Sequence, residues 1–442
     1  MSARDAPLQA VLEHVEAARA LLVLKAPPGS GKTYITLRAV ALAAHRGHRV
    51  AVATQTNAQA EDFCRRMAQE FPRFVVHRWA SAGRTPRDLG ASVRWISRGH
   101  ELPDGPCIVV ATSAKWSASD PSDDPFHTLF IDEAWQMCWA DFMLMGSVAA
   151  RFVLVGDPGQ IAPVVPIDVS RWQTSRRPPH RPAPEVILRD PTLPTRVVEL
   201  PVSTRLPYDT CEMVQAFYDF DFASWSAPGA RRLKLSLPAD PYATDGVDPA
   251  LDLLGHGSLA LLTLPTPADG SVQHEDLGLA ARIARVVERL LQRQATILTE
   301  AGTRPLQADD LGVTATHRVM NTRIREALDA LGPAGRAVRV DTPERWQGLE
   351  RAIMIAAHPL SGMTEPSGFD LGTGRLCVMT SRHSVGLVLV SRDHVGDTLA
   401  RYLPAATQAV GLPDAAGQGR AMNLRVWRYL EATGRIVRSS AP

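Results

Sequence analysis

Short apolar runs alternate with amphipathic stretches along most of this chain. Residues 21–24 (LLVL) read as a strand buried on both faces, and the spacing predicts a helix over 33–44. A strand over 49–53 and a helix over about 58–70 follow, then strands over 107–111, 128–132 and 152–156. Runs of four to six apolar residues between turn residues fit parallel strands covered by helices on both faces. From 170 to 194 the pattern breaks into a Pro- and Arg-rich stretch. Proline withholds an amide donor from any sheet, so this segment reads as a surface loop or domain boundary.

The alternation then restarts. A strand is expected over 259–264, and a helix over 275–293 with Leu279, Ile283, Val286, Val287 and Leu290 on one face. A strand over 311–314, a helix over 319–331 and strands over 352–356 and 385–390 complete the set. The economical reading is an α/β protein of two units, 1–197 and 198–442, the second ending in a helical tail.

Composition narrows the class. At 442 residues, 45% hydrophobic and 21% charged, the chain can bury two cores and is unlike a disordered protein. No apolar run approaches a membrane span, and the first twenty residues lack the apolar core of a secretory signal. The five cysteines stand far apart with no CxxC pair, which excludes a disulfide framework or Cys-rich zinc module and favours the cytoplasm. Lys+Arg exceeds Asp+Glu by only 48 to 46, so bulk charge does not hold nucleic acid, although a local basic groove can.

Three strand ends carry chemistry. APPGSGKT (26–33) lies between a predicted strand and a predicted helix, the context of a P-loop. In the loop Pro28, Gly29, Ser30 and Gly31, the two glycines would let successive backbone amides converge on phosphate at a helix N-terminus, Lys32 would meet β/γ-phosphate charge, and Thr33 would ligate Mg²⁺. Asp132 and Glu133 end another apolar strand about a hundred residues later. Asp132 is suited to hold Mg²⁺ and Glu133 to polarise an attacking water. VGDPGQ (155–160) ends a third strand, with Gln160 expected at the sheet edge beside Glu133.

In order and spacing these elements resemble the superfamily 1 helicases, in the branch of RecD-like enzymes and the nonsense-mediated-decay helicase. The resemblance runs from the P-loop to about Ser391. APPGSGKT is similar to motif I, VATQTNAQAE (52–61) to motif Ia, IDEAWQ to motif II and VGDPGQIAPV to motif III, all in the first unit. LPVSTRLP (200–207) is similar to motif IV, VDTPERWQGLE (340–350) to motif V and LCVMTSRHSVG (376–386) to motif VI. The resemblance implies two tandem RecA-like P-loop domains that hydrolyse ATP with Mg²⁺. Arg205 and Arg382 match its arginine fingers, Gly348 and Glu350 its QGxE element, and Gln9 the adenine-reading glutamine upstream of the P-loop.

The resemblance further implies single-stranded nucleic acid as partner, DNA ahead of RNA, with 5′ to 3′ movement. Candidate strand contacts are Thr54, Asn57, Thr112, Thr316 and Thr342, whose hydroxyls and amides can bind phosphate oxygens. Trp116 and Trp346 fit either base stacking or the core. Arg171, Arg176, Arg177 and Arg181 fit either a phosphate track or a solvated loop. The pattern departs from the family at Thr204, where an aromatic commonly stands, at Ser384, and over 312–324, which lacks the usual Tyr and Gln. Little chain remains beyond the two motor units, so a protein partner is expected to choose the substrate. The rival reading is a P-loop NTPase that acts as a nucleotide switch for a partner protein.

Overall fold

The computed structural model describes residues 5–17, 20–119, 125–172, 174–267, 273–403 and 414–440. Two compact units form, one from Met1–Pro158 with Ala162–Pro201, the other from Val202–Pro442 with Gly159–Ile161. Both are α/β, with parallel sheets flanked by helices.

The first unit has eight strands: β1 (Leu21–Lys25), β2 (Arg49–Thr54), β3 (Val76–Trp79), β4 (Val93–Ile96), β5 (Cys107–Thr112), β6 (Phe126–Ile131), β7 (Ala149–Gly156) and β8 (Thr195–Glu199). They pair in the order β4-β3-β5-β2-β6-β7-β1-β8, all parallel. Alternation survives inside the continuous apolar runs. Leu22, Leu24, Val50, Val52, Ile108 and Val110 join the helices Asp5–Glu16, Lys32–His45 and Asn57–Glu70 in one core. Leu21, Val23, Ala51, Ala53 and Val109 face the other core, built with Trp116, Trp135, Phe142 and Ile187.

In the second unit the main sheet is again parallel. After two short strands, β9 (Val202–Ser203) and β10 (Ala223–Ser224), come β11 (Arg232–Lys234), β12 (Leu259–Leu264), β13 (Thr296–Thr299) and β14 (Gly302–Pro305). Then follow β15 (Leu311–Thr314), β16 (Arg339–Asp341), β17 (Arg351–Ala357), β18 (His383–Arg392) and β19 (Ile436–Arg438). The six-stranded sheet runs β16-β15-β17-β18-β12-β19, while β11, β13 and β14 make a separate antiparallel sheet. Ile353, Ile355, Val388 and Val390 face the helices Leu277–Gln292 and Arg318–Asp329. Met354, Ala356, Leu387 and Leu389 face Thr373–Thr380 and Ala415–Ala432.

Three expectations change. The Pro-rich stretch contains a helix, Ala183–Arg189, because Pro182 and Pro184 sit at its cap and first turn, where no amide is needed. Ala183, Val186 and Ile187 bury its inner face. The C-terminal stretch is more than a helical tail: after Ala415–Ala432 the chain turns back and β19 pairs with β12. Strands β3, β4 and β8 also join the first sheet unannounced. Among the described residues no helix is long and apolar enough to cross a membrane.

Candidate functional site

In the first unit the chemistry gathers at the carboxyl edge of the sheet. β1 leads into the P-loop, and Ala26 N donates to Gly156 O at 2.8 Å, tying the loop to the end of β7. Gly29 and Gly31 have φ of 71° and 85°, the left-handed region in which a side chain is strained. Ser30 N donates to Pro27 O at 3.2 Å, closing a turn between them. The helix Lys32–His45 starts on Gly31 with no side-chain cap, and its N-terminus carries the partial positive charge that attracts an anion. Ser30 is buried, and its hydroxyl has no hydrogen-bond partner.

β7 separates β1 from β6, which brings Asp132 and Glu133 two strands from the P-loop. Asp132 N donates to Ala53 O at 2.9 Å, and its Oδ1 accepts from Glu133 N at 3.0 Å. Glu133 has φ 53°; apart from Gln294 it is the only non-glycine residue with positive φ among the described residues. Such a conformation costs about 1–2 kcal/mol and aims the side chain back across the sheet edge. There Lys32 Nζ donates to Glu133 Oε1 at 2.5 Å. Burial, then the neighbouring Glu133 carboxylate, push the Asp132 carboxyl above its usual range, against the pull of the Lys32 ammonium.

Close packing keeps this edge in place. A Cβ on Gly156 would lie 2.8 Å from the Trp135 ring and 3.0 Å from Ala134 N, so the end of β7 must be glycine for the Asp132–Glu133 turn to sit against it. The donor set suits a polyphosphate with a hard cation: an orphaned Ser30 hydroxyl, uncapped amides and one lysine, opposite a carboxylate beside a strand end.

Gln160 is buried, and its segment Gly159–Ile161 packs in the second unit. A Cβ on Gly374 would come within 2.5 Å of Gln160 O, so glycine there lets the helix Thr373–Thr380 approach the segment.

The second unit gathers its motif residues at the amino edge of β17 and β18. Arg205 Nε donates to Glu350 Oε2 at 2.5 Å, just before β17 begins. Arg231 NH1 donates to Arg205 O at 2.5 Å, and its Nε reaches Glu300 at 2.8 Å. Gly348 has φ 78° with open space around it. Arg382 is buried immediately before β18, and its carbonyl accepts from Arg351 N at 2.9 Å. Behind it lies a polar chain that sequence reasoning did not find. His383 Nε2 and Thr210 Oγ1 are 2.8 Å apart, Thr210 Oγ1 and Ser258 Oγ 2.6 Å, and Ser258 N donates to Asp209 Oδ2 at 2.8 Å. Burial pushes the His383 imidazole down to about 3, so it stays neutral. The only sequence signal for this chain is a histidine directly after Arg382.

The remaining candidates scatter. Gln9 is exposed on its helix and donates to Glu13 at 3.3 Å. Thr54 is buried, with its hydroxyl donating to Thr56 O at 3.1 Å, so it is closed to a ligand. Asn57 is exposed and accepts from Arg78 NH2 at 2.6 Å through its Oδ1. Thr112 caps the helix Ser113–Ser117 through Lys115 N. Thr316 is buried against Met379 Sδ at 3.7 Å, and Thr342 precedes the short helix Pro343–Trp346. Trp116 and Trp346 are core residues: each is fully buried, and their indole nitrogens donate to Val52 O at 2.9 Å and Val313 O at 3.1 Å. Neither stacks on a base. In the Arg-rich loop Arg177 pairs with Asp190 and Arg181 with Glu185, while Arg171 lies over Trp172.

A family model described as an AAA domain matches residues 6–180. No curated protein matches the chain. Among solved structures, a helicase of PRRSV is similar at 14% identity and TM-score 0.42, over 88% of this chain and 55% of that one. Nonstructural protein 10, a helicase of Arterivirus, is similar at 15% identity and TM-score 0.45, over 89% and 63%. The helicase MrfA bound to DNA is similar at 12% identity and TM-score 0.44, over 89% and 51%. The chain thus spans between 51% and 63% of the length of these three proteins.

Proposed function

We propose that this protein is an ATP-driven translocase or helicase on single-stranded nucleic acid, of the superfamily 1 branch that includes RecD-like enzymes. The observation that carries the reading is the Lys32–Glu133 pair beside Asp132, set against an uncapped helix N-terminus. Pro28 to Thr33 bind the phosphates, and Thr33 and Asp132 hold Mg²⁺. Bound Mg²⁺–ATP supplies an electrophilic phosphorus and neutralises part of its charge. When Lys32 turns to phosphate, Glu133 is released as base toward water. Gln160 reports the phosphate. Arg205 and Arg382 supply the permanently charged, planar forks that match phosphoryl oxygens, with Gly348 and Glu350 positioning the first of them.

The two units together form the ATPase, residues 1–197 contributing one domain and 198–442 the other. Gln9 touches the base. Asn57, Thr112, Thr316 and Thr342 lie along the strand, which is DNA in preference to RNA and moves 5′ to 3′. The protein works in the cytoplasm with a partner that selects its substrate. The test is ATP turnover by the full chain with and without an oligo-dT or oligo-rU strand. Turnover that rises with the strand and is lost in Lys32→Ala supports the motor. Turnover indifferent to either strand overturns it in favour of a nucleotide switch.

A further inference from the structure

Beyond the carboxyl ends of β2 and β3 in the first unit lies an open groove of about 450 Å³, lined by Asn57, Ser81, Gly83, Arg84, Thr85 and Arg87. The five lining residues other than Gly83 each carry a hydrogen-bond donor, and none offers a ring on which a base would stack. Arg78, fully buried, occupies the Asn57 carbonyl oxygen at 2.6 Å and so leaves the amide hydrogens to point outward. Arg84 is folded inward by a turn from Ser81 O to Arg84 N at 3.0 Å.

Charge makes the groove more than polar. Glu61, only 3% exposed, receives Arg84 through Nε at 2.8 Å and NH2 at 2.5 Å. Arg87 reaches the same carboxylate at 3.5 Å while its side chain stays 70% exposed. Two guanidiniums share one carboxylate, which leaves an uncompensated positive charge at the groove wall. Asp62, next on the helix, is taken by Arg65 and Arg66. Glu61 therefore anchors the arginines without cancelling them.

We propose that this groove holds the phosphodiester backbone of the single strand, with Arg84 and Arg87 as its phosphate contacts and Asn57, Ser81 and Thr85 as neutral donors. The proposal rests on the motor reading and deepens it: with Thr54 closed by its own hydrogen bond, the first unit grips the strand through the loop after β3. Contacts of this kind position a strand without reading its bases. They also release counterions, about 0.7 in the salt slope per contact on a single strand, or roughly 5-fold in affinity at 0.1 M salt.

The experiment is anisotropy of a labelled oligo-dT against the full chain over a series of salt concentrations, for wild type, Arg87→Ala, Arg87→Lys and Arg401→Ala. Arg401, 83% exposed in the second unit, controls for bulk charge. Arg87→Ala is expected to lower the slope by about 0.7 and the affinity about 5-fold at 0.1 M salt. Arg87→Lys restores the slope, and Arg401→Ala leaves it unchanged. Unaltered affinity of Arg87→Ala for a fluorescent ADP analogue shows that the unit is folded. A wild type that binds while Arg87→Ala keeps the full slope overturns the groove and leaves the motor standing. A wild type that binds no strand overturns both.

Discussion

Glu133→Gln has effects of opposite sign on two observables. In the structure Glu133 holds Lys32 at 2.5 Å, with side chains 11% and 20% exposed respectively. A hydrogen bond between charged groups contributes about 1.5–3 kcal/mol, and partial solvent screening reduces this to about 1–2 kcal/mol here. In the proposed mechanism phosphate must compete with that interaction for the ammonium. Replacing the carboxylate by a neutral amide weakens the competitor, so nucleotide affinity should rise about 5- to 30-fold, at 1.4 kcal/mol per tenfold. The same substitution removes the proposed base and should slow turnover by about 10²–10⁴. Titration with a fluorescent ADP analogue and steady-state phosphate release measure the two effects separately. Weaker nucleotide binding, or turnover at the wild-type rate, would refute the reasoning.

Further predictions concern packing and protons. Gly156→Ala places a methyl 2.8 Å from the Trp135 ring and 3.0 Å from a backbone nitrogen, which should cost about 1–3 kcal/mol in urea unfolding. Thr210→Val strips His383 and Ser258 of a shared partner inside a buried chain and should cost about 1–3 kcal/mol in urea unfolding. His358 and His383 are fully buried and both pushed down to about 3 by burial. The unfolded chain therefore binds more protons than the native one below about pH 6.5, and stability is lost on acidification. Together they should remove about 2–3 kcal/mol between pH 7.5 and 5.5, opposed in part by Asp132, whose shift is upward. Urea midpoints at the two pH values check the sign.

Much of the scaffold was legible because a doubly covered parallel sheet writes itself as apolar runs. β1, β2, β5, β6, β7, β12, β15, β17 and β18 all follow that rule. β3 and β4 escaped because VHRW and VRWI carry arginine where an apolar residue is expected; Arg78 is buried by giving its protons to Trp79 O, Val110 O and Asn57. Such a partnership spans 32 residues and leaves no local trace. The helix Ala183–Arg189 was hidden by prolines that act as helix starters rather than breakers. At the site, residue types and spacing pointed to Lys32, Asp132 and Glu133, yet the left-handed turn that swings Glu133 onto Lys32 is a tertiary outcome. The arginine pair around Glu61 was likewise invisible, since Arg84 and Arg87 lie more than twenty residues away in a loop without a motif.

The proposed role of Arg382 in phosphoryl transfer is the central claim. Its most direct test is ATP turnover at saturating single strand, wild type against Arg382→Ala, with nucleotide affinity measured alongside. The account predicts a fall of about 10³–10⁵ in rate with affinity for the ADP analogue little changed. Turnover in Arg382→Ala equal to that of the wild type would contradict it.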